Sequence, residues 1–152
     1  MQGNEINFES NTTMSVTFQA EDIDLPKIEE EKLSEWINDV AQKYNKVVGE
    51  ISYLFCEDEK ILEVNKEYLD HDFYTDIITF DYSEDNTISG DILISLQTVE
   101  SNSQMYQTDY LEELHRVIIH GILHLCGLKD STTEEEELMR TAENRALEIF
   151  FP

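Results

Sequence analysis

The 152-residue chain is poor in basic residues, cysteine, glycine and proline. Ten Lys and Arg stand against 34 Asp and Glu, a formal net charge of −24. A surface that negative repels phosphates and anionic lipid, which disfavours broad, charge-driven binding of nucleic acid or membrane. It leaves room for a small local basic or metal-based site. The two cysteines, Cys56 and Cys126, are too few for a disulfide framework, so reduced thiols are expected. Five Gly and two Pro exclude collagen-like and low-complexity classes. No stretch approaches the roughly 18 apolar residues of a membrane span. The opening residues Met1 to Phe8 offer neither a basic start nor an apolar run of signal-peptide length. A cytoplasmic chain with no membrane partner is the expectation.

What is present suffices for a core. The hydrophobic fraction is 40%, with 7 Phe, 7 Tyr and 1 Trp, so the charge does not mark a disordered tail. The length fits one domain over residues 1–152, able to bury roughly two-thirds of its unfolded surface. Alternation around Met14, Val16 and Phe18 predicts a strand over Thr13 to Gln19. Leu33, Trp36, Ile37, Val40 and Tyr44 keep helical spacing after Pro26. Glu50 to Cys56 reads as a strand with Ile51, Tyr53 and Phe55 on one face. Asp58 to Leu69 reads as a short helix. Asp76 to Tyr82 and Ile88 to Ser95 are closely spaced strands, which predicts an antiparallel hairpin. From Leu96 onward the chain reads as helical, its strongest helix running from about Asp109 to Cys126 and a last one from near Thr133 to Phe150. The order β-α-β-α-β-β-α-α implies an α+β domain, a mixed four-stranded sheet covered by helices.

The chemistry concentrates in His120-Gly-Ile-Leu-His124-Leu-Cys-Gly127-Leu-Lys-Asp130. Histidines four apart on a helix lie about 40° apart around the axis and about 6 Å along it, so both can reach one ion. Gly127 can adopt the left-handed conformation that ends a helix, and the chain can then curl to bring Asp130 to the pair. Three protein ligands with one open position is the layout of a catalytic zinc site. A histidine pair alone is as easily a surface or core pair; Gly127 and Asp130 at this spacing favour the metal. On the helix wheel Leu111, Leu114, Ile118, Ile122 and Leu125 form an apolar stripe nearly opposite the pair. His115 points some 140° from His120 and is excluded as a ligand. His71, in Asp70-His71-Asp72, reads as a solvated loop residue. Zincin peptidases carry a general-base Glu directly after the first His; here Gly121 stands there, so a peptidase would lack its base.

The same stretch resembles the H-G-x-L-H-L-x-G-x-D-H hallmark of the YbeY family, bacterial metal-dependent endoribonucleases of ribosomal RNA maturation. Asn65-Lys-Glu-Tyr68-Leu69-Asp-His-Asp72-Phe-Tyr-Thr75-Asp76-Ile77-Ile78-Thr79-Phe80 is similar to that family's N-x-x-[YF]-R-x-x-D-x-x-T-D-[VI]-[LI]-[ST]-F segment. Gly90-Asp91-Ile92 matches its G-D-I. The likeness runs in order from about Ile51 to Glu143. It implies a small mixed sheet with a central metal-bearing helix and one divalent ion, zinc by expectation. His120, His124 and Asp130 would be its ligands. It also implies ribosomal RNA or the ribosome as partner, with ribosome-associated proteins beside it. Two positions depart from the pattern: Asp130 stands at the third His, and Leu69 where Arg is usual.

On this reading the metal activates a water and polarises a phosphoryl oxygen. No protein general base is evident. Lys129 and Arg116 are the candidate phosphate contacts, although Arg116 also suits pairing with Glu112 or Glu113. Thr75, Asp76 and Asp91 are candidates to bond a ligand imidazole. Met139 and Glu143 read as packing and capping positions. Glu134 to Glu137 read as the acidic first turn of a helix capped by Thr133. The rival reading is a non-catalytic, metal-stabilised ribosome-associated factor; a hydrolase of some small molecule is a third.

Overall fold

The computed structural model describes residues 15–68 and 75–152. In chain order the elements are β1 (Val16–Ala20), α1 (Glu30–Lys43), β2 (Val47–Cys56), α2 (Asp58–Tyr68), β3 (Ile77–Asp81), β4 (Thr87–Ser95), α3 (Leu96–Tyr106), α4 (Tyr110–Leu125) and α5 (Thr133–Phe150). The sheet order is β1-β2-β4-β3. β1 and β2 run parallel, as do β2 and β4, while β3 pairs antiparallel with β4. The mixed sheet and its hairpin therefore stand as the alternation predicted. Parallel neighbours need a crossover, which is why helices separate β1 from β2 and β2 from the hairpin. Thr13, Met14, Leu69, His71 and Asp72 lie outside the described residues.

The strand period distributes the core. Ile51, Tyr53 and Phe55 of β2 and Ile88, Ile92 and Ile94 of β4 point to one face, where α1 and α4 cover them and α5 packs on those two helices. Leu93 and Ile78 point to the other and meet Ile61 and Val64 of α2. Phe18, Tyr53 and Phe55 stack across β1 and β2, with adjacent ring centroids 5.1 and 6.4 Å apart. Two buried polar tips tie helices into this core. The Tyr53 hydroxyl donates to the Ile118 carbonyl at 2.8 Å, and Trp36 Nε1 donates to the Ala146 carbonyl at 2.9 Å. Both bonds reach helices that carry or support the site.

Helix α4 is apolar on most sides: Leu114, Val117, Ile118, Ile119, Ile122, Leu123 and Leu125 are all buried. Leu111, placed by periodicity in the same stripe, is instead 45% exposed. It sits in the first turn of α4. A Cβ built on Gly121 would lie 3.0 Å from Ile92 Cδ1 and 3.3 Å from Ile77 Cδ1. The position that holds a base in zincins thus faces the sheet here, and glycine lets the helix settle onto β4.

Candidate metal centre

The end of α4 builds the site. Gly127 has φ +109°, a left-handed conformation open to glycine. Its N–H bonds the His124 carbonyl at 2.9 Å, and the Leu128 N–H bonds the Leu123 carbonyl at 3.0 Å. This pair of bonds is a Schellman turn, and it reverses the chain immediately after His124. Two results follow. The Leu128 carbonyl lies 2.9 Å from His124 Nδ1 and accepts its proton. Asp130 comes back over the helix, with Oδ2 3.4 Å from His120 Nε2 and 3.3 Å from His124 Nε2.

His120 is held from a different helix. Its Nδ1 lies 2.7 Å from Glu143 Oε2 of α5, and Glu143 Oε1 accepts from Arg116 Nη1 at 2.9 Å. Arg116 stands one turn before His120 on α4, so one buried carboxylate bridges two α4 side chains. Burial pushes the Glu143 carboxyl up, but hydrogen bonds from His120 and Arg116 outweigh it and hold the group below the ordinary glutamate range. Burial likewise pulls the His120 value down. The Glu143 hydrogen bond and charge, with Asp130 and Asp76, raise it overall.

Both imidazoles therefore spend Nδ1–H on an acceptor and turn Nε2 towards Asp130. One ligand atom from each of the three residues lies within 4.8 Å of the others, a group that could hold a metal ion. The distances fit one. Two ligands about 2.0–2.1 Å from a common centre, at the tetrahedral angle, lie about 3.3–3.4 Å apart. The observed separations are longer than the roughly 2.7–2.9 Å of a direct charged hydrogen bond. The three residues open onto a cleft of about 610 Å³, whose wall includes Thr75, Asp76, Glu113, Arg116, Arg140 and Glu143.

A family model described as Endoribonuclease YbeY matches residues 15–150. The chain belongs to the YbeY family. A relative from Parabacteroides distasonis, named Endoribonuclease YbeY, is 60% identical over 136 residues, 90% of this chain and 96% of the relative. One of the same name from Porphyromonas gingivalis is 58% identical over 132 residues, 87% of each. A Thermotoga maritima protein solved in solution superposes with a TM-score of 0.61 at 26% identity, covering 88% of this chain and 87% of its own. The YbeY match exceeds the Ile51 to Glu143 span of the motifs and takes in β1, α1 and the whole of α5.

Around this YbeY site several expectations need correcting. Glu143 is neither packing nor a cap; it fixes the His120 ring. A usable signal was its place in the stripe Met139, Glu143, Ala146, Leu147 and Phe150, a charged residue among buried ones. The imidazole partners are Glu143 and the Leu128 carbonyl, not Thr75, Asp76 or Asp91. Asp76 lines the cleft, its carboxyl pushed up by burial against the pull of His120. Asp91 sits within β4 opposite Phe80. Arg116 does meet Glu112, at 3.9 Å, but its strong partner is Glu143. Lys129 is exposed and is not among the residues lining the cleft. His115 is buried beside Trp36 and Phe150, with Nδ1 2.7 Å from the Leu111 carbonyl. The helix cap is Thr132 rather than Thr133. Glu135, three residues on, closes a capping box with it and also accepts from the Ser131 N–H.

Proposed function

We propose that this chain is a zinc-dependent endoribonuclease acting in ribosomal RNA maturation in the cytoplasm, with ribosomal RNA or the ribosome as its partner. The observation that carries this reading is that Asp130 Oδ2 lies 3.4 Å from His120 Nε2 and 3.3 Å from His124 Nε2, the spacing of ligands around one ion, on the wall of a cleft. Two imidazoles and a carboxylate suit zinc, and three protein ligands leave a position for water or substrate. The names of the relatives supply the reaction class, endoribonucleolytic cleavage.

His120, His124 and Asp130 would hold the ion. A divalent cation bound there lowers the pKa of a bound water and polarises a phosphoryl oxygen. The protein's part is to hold and orient. Glu143 and the Leu128 carbonyl keep each Nδ1 protonated, which leaves each Nε2 lone pair free towards Asp130. Asp130 adds negative charge to balance the cation. Arg116 keeps Glu143 ionised, so the His120 ring stays in place.

The test is metal analysis of the purified protein together with cleavage of a structured RNA. Cleavage should require the metal and vanish in His120→Ala and His124→Ala. Equal cleavage by wild type and both variants would trace the activity to a contaminant and overturn the reading. A protein that holds zinc but cleaves no RNA would instead leave the non-catalytic ribosome factor.

A further inference from the structure

The cleft poses an electrostatic problem for any RNA strand. Five carboxylates line it, from Asp76, Asp81, Glu113, Asp130 and Glu143, against two arginines. The whole chain carries −24. A phosphodiester entering here needs a local cation besides the metal.

Arg116 is poorly placed to supply it. Its guanidinium is committed to Glu143 at 2.9 Å and to Glu112 at 3.9 Å, and its side chain is only 15% exposed. Arg140 is different. It is exposed, and among the described residues no salt bridge engages it, although Glu136 and Glu137 lie one turn earlier on α5. Its charge is felt within the cleft, where it opposes the upward push of burial on the Glu113 carboxyl.

Its position is the second observation. Beside the main cleft lies a hollow of about 760 Å³ along α5. The two share four residues, His120, Asp130, Glu143 and Arg140. Arg140 therefore stands on the boundary between them, next to the His-His-Asp group. A strand running from one hollow to the other passes this guanidinium as it passes the metal ligands.

We propose that Arg140 binds a backbone phosphate of a single-stranded RNA threaded across this boundary. The proposal rests on the endoribonuclease reading above. A planar guanidinium can donate two parallel hydrogen bonds to a phosphate, which fixes its orientation as well as its charge. Lys129, the other cation near Asp130 in sequence, lines neither hollow and has no such part.

The experiment uses the zinc-loaded full chain and a labelled single-stranded oligoribonucleotide over a series of KCl concentrations. Wild type, Arg140→Gln, Arg140→Lys and Lys129→Gln are compared for cleavage kinetics and for binding by fluorescence anisotropy. Arg140→Gln should raise KM by about ten- to a hundred-fold, the weight of a charged hydrogen bond. It should also reduce the slope of log affinity against log salt by about 0.7, one phosphate contact on a single strand. Arg140→Lys should restore the slope but only part of KM, because it keeps the charge and loses the fork. Zinc content and unfolding midpoint should not move, which separates substrate binding from a structural role. An unchanged slope and KM in Arg140→Gln overturns the proposal, as does the same loss in Lys129→Gln. If wild type binds the RNA without cutting it, the nuclease reading fails while the slope still decides Arg140. If wild type does not bind it, both fall.

Discussion

Removing Glu143 should weaken zinc binding, and it should do so more at high pH than at low. The carboxylate lies outside the His-His-Asp group; it holds His120 Nδ1 at 2.7 Å and Arg116 at 2.9 Å. Loss of such a partner costs about 10–100-fold in metal affinity, or about 1.4–2.7 kcal/mol. Glu143→Gln keeps an acceptor oxygen and belongs at the lower end; Glu143→Ala belongs at the upper. The variants also strand the Arg116 guanidinium. Removing one partner of a fully buried pair costs about 3–5 kcal/mol. Arg116 keeps some solvent and Glu112 at 3.9 Å, so about 1–3 kcal/mol of unfolding free energy is expected here. The pH dependence follows from His120. In the metal-free protein burial lowers its pKa but Glu143 lifts it above the ordinary histidine value, so protons compete with zinc for the ring. Without Glu143 that competition recedes to lower pH, which offsets part of the loss. The deficit should thus be full near about pH 8.5 and smaller near about pH 6. Competition against a chromophoric chelator at both pH values measures it. Wild-type affinity in Glu143→Ala at the higher pH would refute the reasoning.

Asp130→His should raise the formal charge of a zinc-loaded site by one unit, so the midpoint of the pH–rate profile should fall; coincident profiles would sink this. Gly127→Ala forces a side chain into φ +109° and should cost about 1–2 kcal/mol in urea unfolding, with weaker zinc binding because Leu128 and Asp130 shift. His115 is held below its ordinary pKa by burial, so its unfolded form protonates first. Its contribution is present above about pH 6.5 and lost as pH falls through the folded value; His115→Gln should flatten that part of the stability–pH curve. An unaltered curve would contradict the assignment.

The parts of this fold legible in the sequence are those set by local periodicity. Ile51, Tyr53 and Phe55 fall on one face because strand side chains alternate, and the structure buries all three. The His-His-Asp group was legible for the same reason: His120 and His124 share a helix face, and Gly127 marks the reversal that brings Asp130 to them. Glu143 was not. Its partners lie 23 and 27 residues earlier on another helix, and no local rule says which face of α5 packs on α4. Arg140 escaped likewise, since only the docking of α5 puts it between two hollows. Leu111 misled in the opposite sense, because helix periodicity marks a face but not how fully its first turn is covered. The YbeY resemblance supplied what spacing could not, the reaction class.

The Schellman turn has a thermodynamic consequence. It draws all three donors of the candidate metal centre from one stretch of eleven residues, His120 to Asp130. A denatured chain can still close so short a loop around zinc at modest entropic cost. Ligand linkage stabilises a fold only by the difference between binding to the native and to the unfolded chain. The rise in Tm on saturation with zinc should therefore fall short of what the native-state Kd alone requires. What the folded protein adds to the bare peptide is the Glu143 contact, reaching in from α5, and the cleft that the rest of the chain builds around it.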